Sequence, residues 1–320
     1  MANIPFRSIA IVSAFVGLLS LFVPQLLSIP ASWINSVAES KPNRSPSKTP
    51  VYFFSHGGPD VQYNTTHPVY PVLQRIGKEI TQRVKPKAVV VFSAHWMGGE
   101  DTILVNDALL TDLIYDFYGF PDHFYKATYP SIGSPEIASR IVTLLSDAGI
   151  KARGLKRGLD HGVWSGFNVG PAFDPETNPL SVPLVQVSLF KSESPGSHLA
   201  LGRAVSALRE ESIVIIGAGM SVHNLRDMHQ MFEGNMEALP YSVSFDNALK
   251  EAVEADVSVR DARMAAVCQR PDARQAHPFM DHLMPVFIAA GAAGEDAGTQ
   301  TWTFQEGSFA FAQYRFGELP

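Results

Sequence analysis

Short apolar runs alternate with amphipathic stretches from residue 51 to the end of the chain. Runs rich in β-branched and aromatic residues predict buried strands at 51–55, 89–93, 183–189 and 213–219. Apolar residues at helical spacing predict helices at 69–84, 134–148, 197–210, 242–256 and 281–291. Strands and helices that alternate in this way are typical of βαβ crossovers, in which helices cover both faces of a parallel sheet. We therefore predict an α/β fold, a three-layer sandwich with a mostly parallel or mixed central sheet, as a single domain at 51–320.

The carboxyl-terminal stretch TQTWTFQEGSFAFAQYRFG alternates apolar and polar residues on both sides of Glu306-Gly307. A residue pair of this kind between two alternating segments is typical of a hairpin turn. We expect this stretch to add antiparallel strands at one edge of the sheet.

The first fifty residues have a different pattern. Residues 8–29 contain no charged residue, and an apolar stretch of that length can span a bilayer. Three basic residues follow in a polar linker, and only Arg7 precedes the segment, which favours a cytosolic carboxyl side by the positive-inside rule. We therefore expect residues 1–50 to be a hydrophobic segment plus linker that anchors a cytosolic domain to the membrane.

A signal peptide is the alternative for the same segment. Small residues at Ser36 to Ala38 could form a cleavage site, so that the protein would be secreted after cleavage near Ala38. Sequons at Asn43 and Asn64 favour secretion. The absence of cysteine pairs favours the cytosol instead.

Composition narrows the choice of ligands. The 320 residues carry a formal net charge of −6, which argues against nucleic acid as a partner because nucleic-acid-binding proteins usually present a basic face. Cys268 is the only cysteine, so the chain has neither an internal disulfide nor a zinc site built from cysteines. Any bound metal must therefore be held by His, Asp or Glu. The sequence assigns no oligomeric state.

Three histidines follow three of the predicted strands. His56 comes after the strand at 51–55, His95 after the strand at 89–93, and His223 shortly after the strand at 213–219. Open α/β sheets build their sites at the carboxyl ends of parallel strands, so we expect these three side chains to lie close together. Three neutral imidazoles can bind a divalent zinc or iron ion and leave positions open for water or substrate.

Three further histidines lie in loops that contain Gly or Pro. His161 follows Asp160 in GLDHGVW, and His277 and His282 lie in AHPFMDH. For His277 and His282, a packing role and a direct substrate contact are both open.

Six motifs occur in order between residues 51 and 316: SHGGP, FSAHW, YDFYGFPDHFYKATYPSIGSPEIA, GLDHGVW, VHNL and AHPFMDHLMPVFIAAGA. Together they resemble the 4,5-DOPA extradiol dioxygenase family, within the class III extradiol ring-cleavage dioxygenases of the subunit-B type. The resemblance implies that His56, His95 and His223 are the metal ligands and that His161 is the acid/base beside the metal. It also implies that His277 and His282 help to shape the substrate pocket.

The activity implied by the resemblance is metal-dependent ring opening of a catechol such as L-DOPA, with dioxygen as the second substrate. Each site would hold one divalent ion, and Fe(II) is expected because dioxygen must be activated. Zn(II) is also compatible with a triad made only of histidines, since the better-known class III enzymes hold iron with two His and one carboxylate.

Three aromatic residues, Trp96, Trp164 and Tyr118, are candidates for a flat pocket around the catechol ring, with core packing as the alternative for each. Two other functions remain open on the same residues. One is a zinc-dependent hydrolase, because three His and an open position also suit a zinc-bound hydroxide. The other is a non-catalytic metal- or ligand-binding protein on the same scaffold.

Overall fold

The strands follow the apolar runs of the sequence. The computed structural model describes residues 48–169, 173–174 and 176–320. In these residues the strands are β1 (Val51–Ser55), β2 (Ala88–Met97), β3 (Thr102–Asn106), β4 (Lys151–Leu155), β5 (Leu184–Leu189), β6 (Ile213–Gly219), β7 (Val222–His223), β8 (Gly298–Trp302), β9 (Gln305–Glu306), β10 (Phe309–Ala310) and β11 (Gln313–Phe316). The strands predicted at 51–55 and 213–219 are confirmed to the residue. The strand predicted at 89–93 is longer, because Met97 still pairs with Leu189 of β5.

The main sheet is mixed, as predicted. Its eight strands have the order β4-β3-β5-β2-β6-β1-β11-β8. The four central strands β5, β2, β6 and β1 run parallel to one another. Antiparallel pairing of β1 with β11 and of β11 with β8 forms one edge, which confirms the expected antiparallel addition by the carboxyl-terminal stretch. The carboxyl ends of the parallel strands β2, β6 and β1 therefore lie side by side at the same edge.

The α-helices of the described residues are α1 (Tyr70–Lys78), α2 (Pro135–Asp147), α3 (His161–Phe167), α4 (Pro195–Val205), α5 (His229–Phe232), α6 (Pro240–Val253), α7 (Val257–Val267), α8 (Ala273–Ala276) and α9 (Met284–Ala293). The five predicted helices correspond to α1, α2, α4, α6 and α9. A π-helical segment extends α1 to Val84, and a 3-10 segment extends α4 to Arg209. The start of α2 follows from its sequence, because the Ser134 side chain accepts a hydrogen bond from the Ile137 amide and Pro135 needs no partner in the first turn.

Helices cover both faces of the sheet, which makes the fold the predicted three-layer sandwich. Successive side chains of a strand point to opposite faces, so each buried strand contributes to two cores. In β1, Val51 and Phe53 join the core under α2, α4, α6, α7 and α9. Tyr52 and Phe54 join the opposite core under α1 and α3. A sheet buried on both faces explains why its strands read as continuous apolar runs.

A small second sheet lies beside the site edge of the large one. It has the order β7-β10-β9, and the hairpin between β9 and β10 turns at Gly307-Ser308, one residue later than predicted, because Glu306 still pairs with Phe309. Strand β7 ends on His223, whose backbone pairs with Phe309 of β10. The carboxyl-terminal stretch therefore contributes strands to two sheets. The alternation of apolar and polar residues along this stretch does not show which strand joins which sheet.

The expectations of a membrane anchor and of a membrane location are corrected by the structure. Among the residues it describes, no helix is long and apolar enough to cross a membrane. The longest α-helix there, α6, has 14 residues. At 1.5 Å per residue it spans about 21 Å, less than the roughly 30 Å of a hydrocarbon core. Residues 8–29 and the cleavage site near Ala38, on which these expectations were based, lie outside the described residues.

A buried histidine on α4 makes the stability of the fold dependent on pH. The His198 Nδ1–H donates to the Ser194 carbonyl at 2.8 Å, and the whole side chain is buried. Burial lowers the pKa of His198 to about 4. Because the unfolded chain takes up this proton near pH 6.5, the stability from His198 is present above that pH and is lost as the pH falls toward 4.

We expect the free energy of unfolding to fall between pH 7 and pH 5, with His198 contributing on the order of 2 kcal/mol of that fall. Urea unfolding at both pH values should show a smaller pH dependence for His198→Gln, which has no titrating group. The exposed His229 is the matched control, and His229→Gln should keep the wild-type dependence. An unchanged pH dependence in His198→Gln would contradict this assignment.

Candidate metal centre and active site

The site is formed where the parallel strands end. His56 directly follows β1, and its backbone amide donates to the Gly219 carbonyl at the end of β6 at 3.0 Å. His95 lies near the end of β2, which neighbours β6. His282 comes from the segment before α9, and its carbonyl accepts from the Met220 amide at 2.9 Å. A Cβ at position 219 would lie 2.2 Å from the His282 carbonyl oxygen, so only glycine permits this approach.

Three imidazoles meet at this point. The ring centroids of His56 and His95 are 5.4 Å apart, those of His56 and His282 5.6 Å, and those of His95 and His282 4.9 Å. One ring nitrogen from each lies within 4.8 Å of the others. The arrangement can therefore offer three nitrogen ligands to a single ion.

Each of these rings is oriented by an acceptor at Nδ1. The Nδ1–H of His56 donates to the Gly57 carbonyl at 2.6 Å, and that of His282 donates to the Asp281 carboxylate at 2.9 Å. His95 Nδ1 lies 3.2 Å from the Asp116 carboxylate. Metal-binding histidines are commonly held in this way, with Nδ1–H bonded to an oxygen and the Nε2 lone pair left for the metal.

The Nε2 atoms fit a divalent cation. His56 Nε2 is buried and has no hydrogen-bond partner among the described residues. The Nε2 atoms of His95 and His282 are 3.2 Å apart. When both rings are neutral and both Nδ1 atoms donate, these two Nε2 atoms are acceptors that face each other, an arrangement that a cation between them relieves. Two nitrogens at 2.0–2.1 Å from a tetrahedral ion would be about 3.3 Å apart, close to the observed separation.

Two other groups of donors in the described residues could also hold a metal. They are His95 with Asp116 and His161, and His223 with Asp281 and His282. In both groups the carboxylate already accepts hydrogen bonds from imidazoles. The group of His56, His95 and His282 is therefore the one whose buried donor atom lacks a partner.

Burial keeps two of the three converging imidazoles, those of His56 and His282, neutral. It lowers the pKa of His56 and of His282, and the neighbouring His95 lowers both further. The neutral imidazole is the form that binds metal. For His95 burial acts in the same direction, but the hydrogen bond to Asp116 and the charges of Asp160, Asp116 and Asp281 outweigh it and raise the pKa.

His223 lies beside this group. Its ring stacks on that of His282, with centroids 3.6 Å apart and planes at 11°. His282, which the sequence assigned to the substrate pocket, is the imidazole grouped with His56 and His95. The role of His223 as a ligand stays a prediction, and the geometry offers His282 as the third nitrogen ligand.

His161 lies next to the three rings at the start of α3. Its centroid is 4.0 Å from that of His95 and 6.0 Å from that of His56. Its Nδ1 lies 2.9 Å from Asp116 Oδ1. Burial and then the neighbouring His95 lower the pKa of His161, which favours a neutral ring able to accept a proton. Hydrogen bonds to His161 and His95 outweigh burial and hold the pKa of the Asp116 carboxyl well below its usual range.

The other predicted site residues differ in how much of the side chain is exposed to solvent. His277 is fully buried, and its Nε2–H donates to the Ser221 carbonyl at 2.9 Å. Trp164 is also fully buried, with its indole N–H bonded to the Ile114 carbonyl at 3.1 Å. Trp96 is 5% exposed, whereas Tyr118 is 92% exposed. The structure therefore places His277 and Trp164 in the core and the Tyr118 side chain in solvent.

Several residues of the site were not singled out from the sequence. Phe117 packs edge-on against His161, with centroids 5.6 Å apart. Asp160, which is fully buried, accepts hydrogen bonds from Ser93 at 2.7 Å and from Arg157 at 3.0 Å. The Arg157 guanidinium lies 4.8 Å from the centre of the Trp96 ring. A weak signal for one acidic partner was present, since in AHPFMDH Asp281 directly precedes His282, the ring that it hydrogen-bonds.

Several known proteins, all named as dioxygenases, are similar to this chain over most of its length. A protein from Beta vulgaris named 4,5-DOPA dioxygenase extradiol is 32% identical over 270 residues, which are 83% of this chain and 96% of that protein. A protein of the same name from Escherichia coli (strain K12) is 29% identical over 253 residues, 78% of this chain and 86% of that one. Dioxygenase tasH from Hapsidospora irregularis is 34% identical over 275 residues, 79% of this chain and 81% of that protein.

A solved structure shares the fold. The crystal structure of uncharacterized protein JW3007 from Escherichia coli K12 matches with a TM-score of 0.66 and 26% sequence identity, over 84% of this chain and 99% of that chain. The sequence model of one family, described as the catalytic LigB subunit of aromatic ring-opening dioxygenase, matches residues 47–316. This match covers most of the chain, including every residue of the histidine site, and it confirms the family inferred from the six motifs. The chain belongs to the LigB family of aromatic ring-opening dioxygenases.

Proposed function

We propose that this chain is a metal-dependent extradiol dioxygenase that opens the ring of a catechol such as L-DOPA next to its two hydroxyl groups. The single observation that carries the proposal is the convergence of one ring nitrogen from each of His56, His95 and His282 beside His161. Both atoms of dioxygen would enter the product, a hydroxymuconic semialdehyde, so that the reaction needs no external reductant. The proposed catalytic domain spans residues 51–320, separate from the segment 1–50.

His56, His95 and His282 would hold the metal. When bound, a divalent ion there would lower the pKa values of the catechol hydroxyls and bring catechol and dioxygen together. Fe(II) is the metal we expect, because zinc has no redox chemistry to offer dioxygen. Zn(II) fits the same three nitrogens, and the identity of the metal is part of what the experiment below measures.

His161 would move the proton. With Nδ1–H bonded to Asp116, Nε2 is its ring nitrogen without a hydrogen bond to the described residues. A neutral imidazole can take the proton of a catechol hydroxyl at Nε2 and return it when the O–O bond breaks. The lowered pKa of His161 keeps the ring neutral, which is the form that can accept a proton.

The substrate class is supported by the relatives and by the surroundings of His161. The names of several relatives specify DOPA as the compound on which those proteins act. Phe117, which lies edge-on to His161, offers an aromatic surface beside the proposed proton-transfer group. Aromatic side chains favour flat aromatic ligands, so the Phe117 ring favours a catechol as the ligand.

Anaerobic reconstitution with Fe(II), followed by addition of L-DOPA or another catechol in air, tests the proposal. We expect oxygen uptake together with a yellow ring-opened product. The same protein loaded with Zn(II) is the matched control and should consume no oxygen. Absence of oxygen uptake with a panel of catechols would overturn the proposal. Ester or amide hydrolysis by the zinc form alone would favour a hydrolase, and stoichiometric binding without turnover would favour a binding protein.

A further inference from the structure

One carboxylate connects two functional imidazoles of the site. Asp116 Oδ1 accepts from the His161 Nδ1–H at 2.9 Å and from the His161 backbone amide at 3.0 Å. Asp116 Oδ2 lies 3.2 Å from His95 Nδ1. The two oxygens of the Asp116 side chain therefore contact two different rings. His95 belongs to the group of three candidate metal ligands, and His161 lies beside that group.

This contact fixes where the protons of both rings lie. An ionised carboxylate can only accept hydrogen bonds, so both imidazoles must carry their hydrogen on Nδ1. Each ring, when neutral, then presents an Nε2 lone pair. His95 needs that lone pair to bind a metal, and His161 needs it to accept a proton.

The surroundings of Asp116 hold the carboxylate in place. Its side chain is only 22% exposed. The next residue, Phe117, packs against Trp164 with centroids 6.1 Å apart, and the preceding Tyr115 packs against the same indole at 5.7 Å. Trp164 lies on α3 in the same turn as His161, so the segment that carries Asp116 is packed onto the helix that carries its partner.

We propose that Asp116 is a positioning residue that holds His95 and His161 in the Nδ1–H tautomer, and so sets metal affinity and proton transfer together. The assignment of the two rings rests on the proposed function, whereas the tautomers themselves can be measured without turnover.

Replacement of Asp116 by asparagine separates the effect on His95 from the effect on His161. The asparagine amide has one acceptor oxygen and one donor NH₂ group, so it cannot accept from both rings. The oxygen should stay toward His161, where two N–H groups need an acceptor. The NH₂ group then faces His95 and forces it into the Nε2–H tautomer, which removes the lone pair that would bind the metal. Alanine removes both acceptors, so neither ring is held.

The experiment measures ring ¹⁵N chemical shifts in the metal-free protein and Co(II) affinity by competition with a chelator. For Asp116→Asn we expect His95 to change tautomer, His161 to keep its own, and Co(II) affinity to fall by about 10–100-fold. For Asp116→Ala we expect both rings to change. Its kcat at saturating Fe(II) should fall by about 10²-fold or more, and further than that of Asp116→Asn.

Two matched variants control the experiment. Within the described part of the chain, Asp281 hydrogen-bonds only His282, so Asp281→Asn should change the His282 shifts and leave the His161 and His95 tautomers as in wild type. Asp101 forms an exposed ion pair with Lys151, and Asp101→Asn should change none of these quantities. Wild-type shifts and Co(II) affinity in Asp116→Asn would overturn the proposal. So would equal effects of Asn and Ala on both rings. If wild-type protein opens no catechol, the proposed function fails while the shifts and affinities still test Asp116.

Discussion

Replacement of His282 by phenylalanine is expected to remove the bound metal and, with it, oxygen uptake. Phenylalanine keeps a flat ring but has no nitrogen, so one of the three converging ring nitrogens is lost. Loss of an orienting partner of a ligand typically costs about 10–100-fold in affinity, and loss of the ligand itself should cost more. Metal content after Fe(II) reconstitution, with Co(II) affinity as a second measurement, checks this prediction.

The matched control is His223→Phe, since the His223 ring stacks on His282 at 3.6 Å and has the same size. We expect this variant to retain metal, because the nitrogens of His223 are not grouped with those of His56 and His95. If His223→Phe loses metal and His282→Phe keeps it, the ligand set implied by the resemblance is right and the geometric assignment is wrong. Equal loss in both would mean that both rings bind.

Unlike His282→Phe, His161→Ala is expected to keep the bound metal while it loses turnover. General acid–base groups contribute about 10²–10⁴-fold to rates, and kcat should fall within that range. Metal should remain because the His161 ring hydrogen-bonds Asp116 and is not grouped with His56 and His282. Steady-state oxygen uptake at saturating Fe(II), together with metal analysis of the same sample, measures both quantities.

Added imidazole provides the control for His161→Ala. The deletion leaves space for a free ring beside Phe117, and partial recovery of turnover with imidazole would show that the loss concerns a proton-transfer group. Loss of metal from His161→Ala to the extent seen in His282→Phe would contradict the separation of roles.

Much of the fold could be predicted because its signals are local. The apolar runs at β1 and β6 have the length and composition of buried strands, and both ends matched. β4 was missed because four of its five residues are exposed and it contains no apolar run. The membrane expectation came from a segment outside the described residues, and within those residues no helix is suited to span a bilayer.

The site could be predicted only in part. His56 and His95 stand out because each lies at the end of a buried strand, and the parallel order of those strands brings their ends to one edge. His223 has the same relation to β6 in the sequence, yet β7 pairs with the small sheet and its ring lies against His282. Position along the chain therefore could not distinguish His223 from His282.

The sequence by itself determined the main buried strands, the longer helices, the three-layer class, the family and the histidines from which the site is built. Local patterns specify these features, because hydrophobic periodicity and short motifs act over a few residues. Only the tertiary structure decided which nitrogens converge and which carboxylates orient them. His95 and His282 are 187 positions apart, and Asp116 and His161 are 45 positions apart. Contacts over such separations depend on how the layers pack around the sheet edge, which no local pattern encodes.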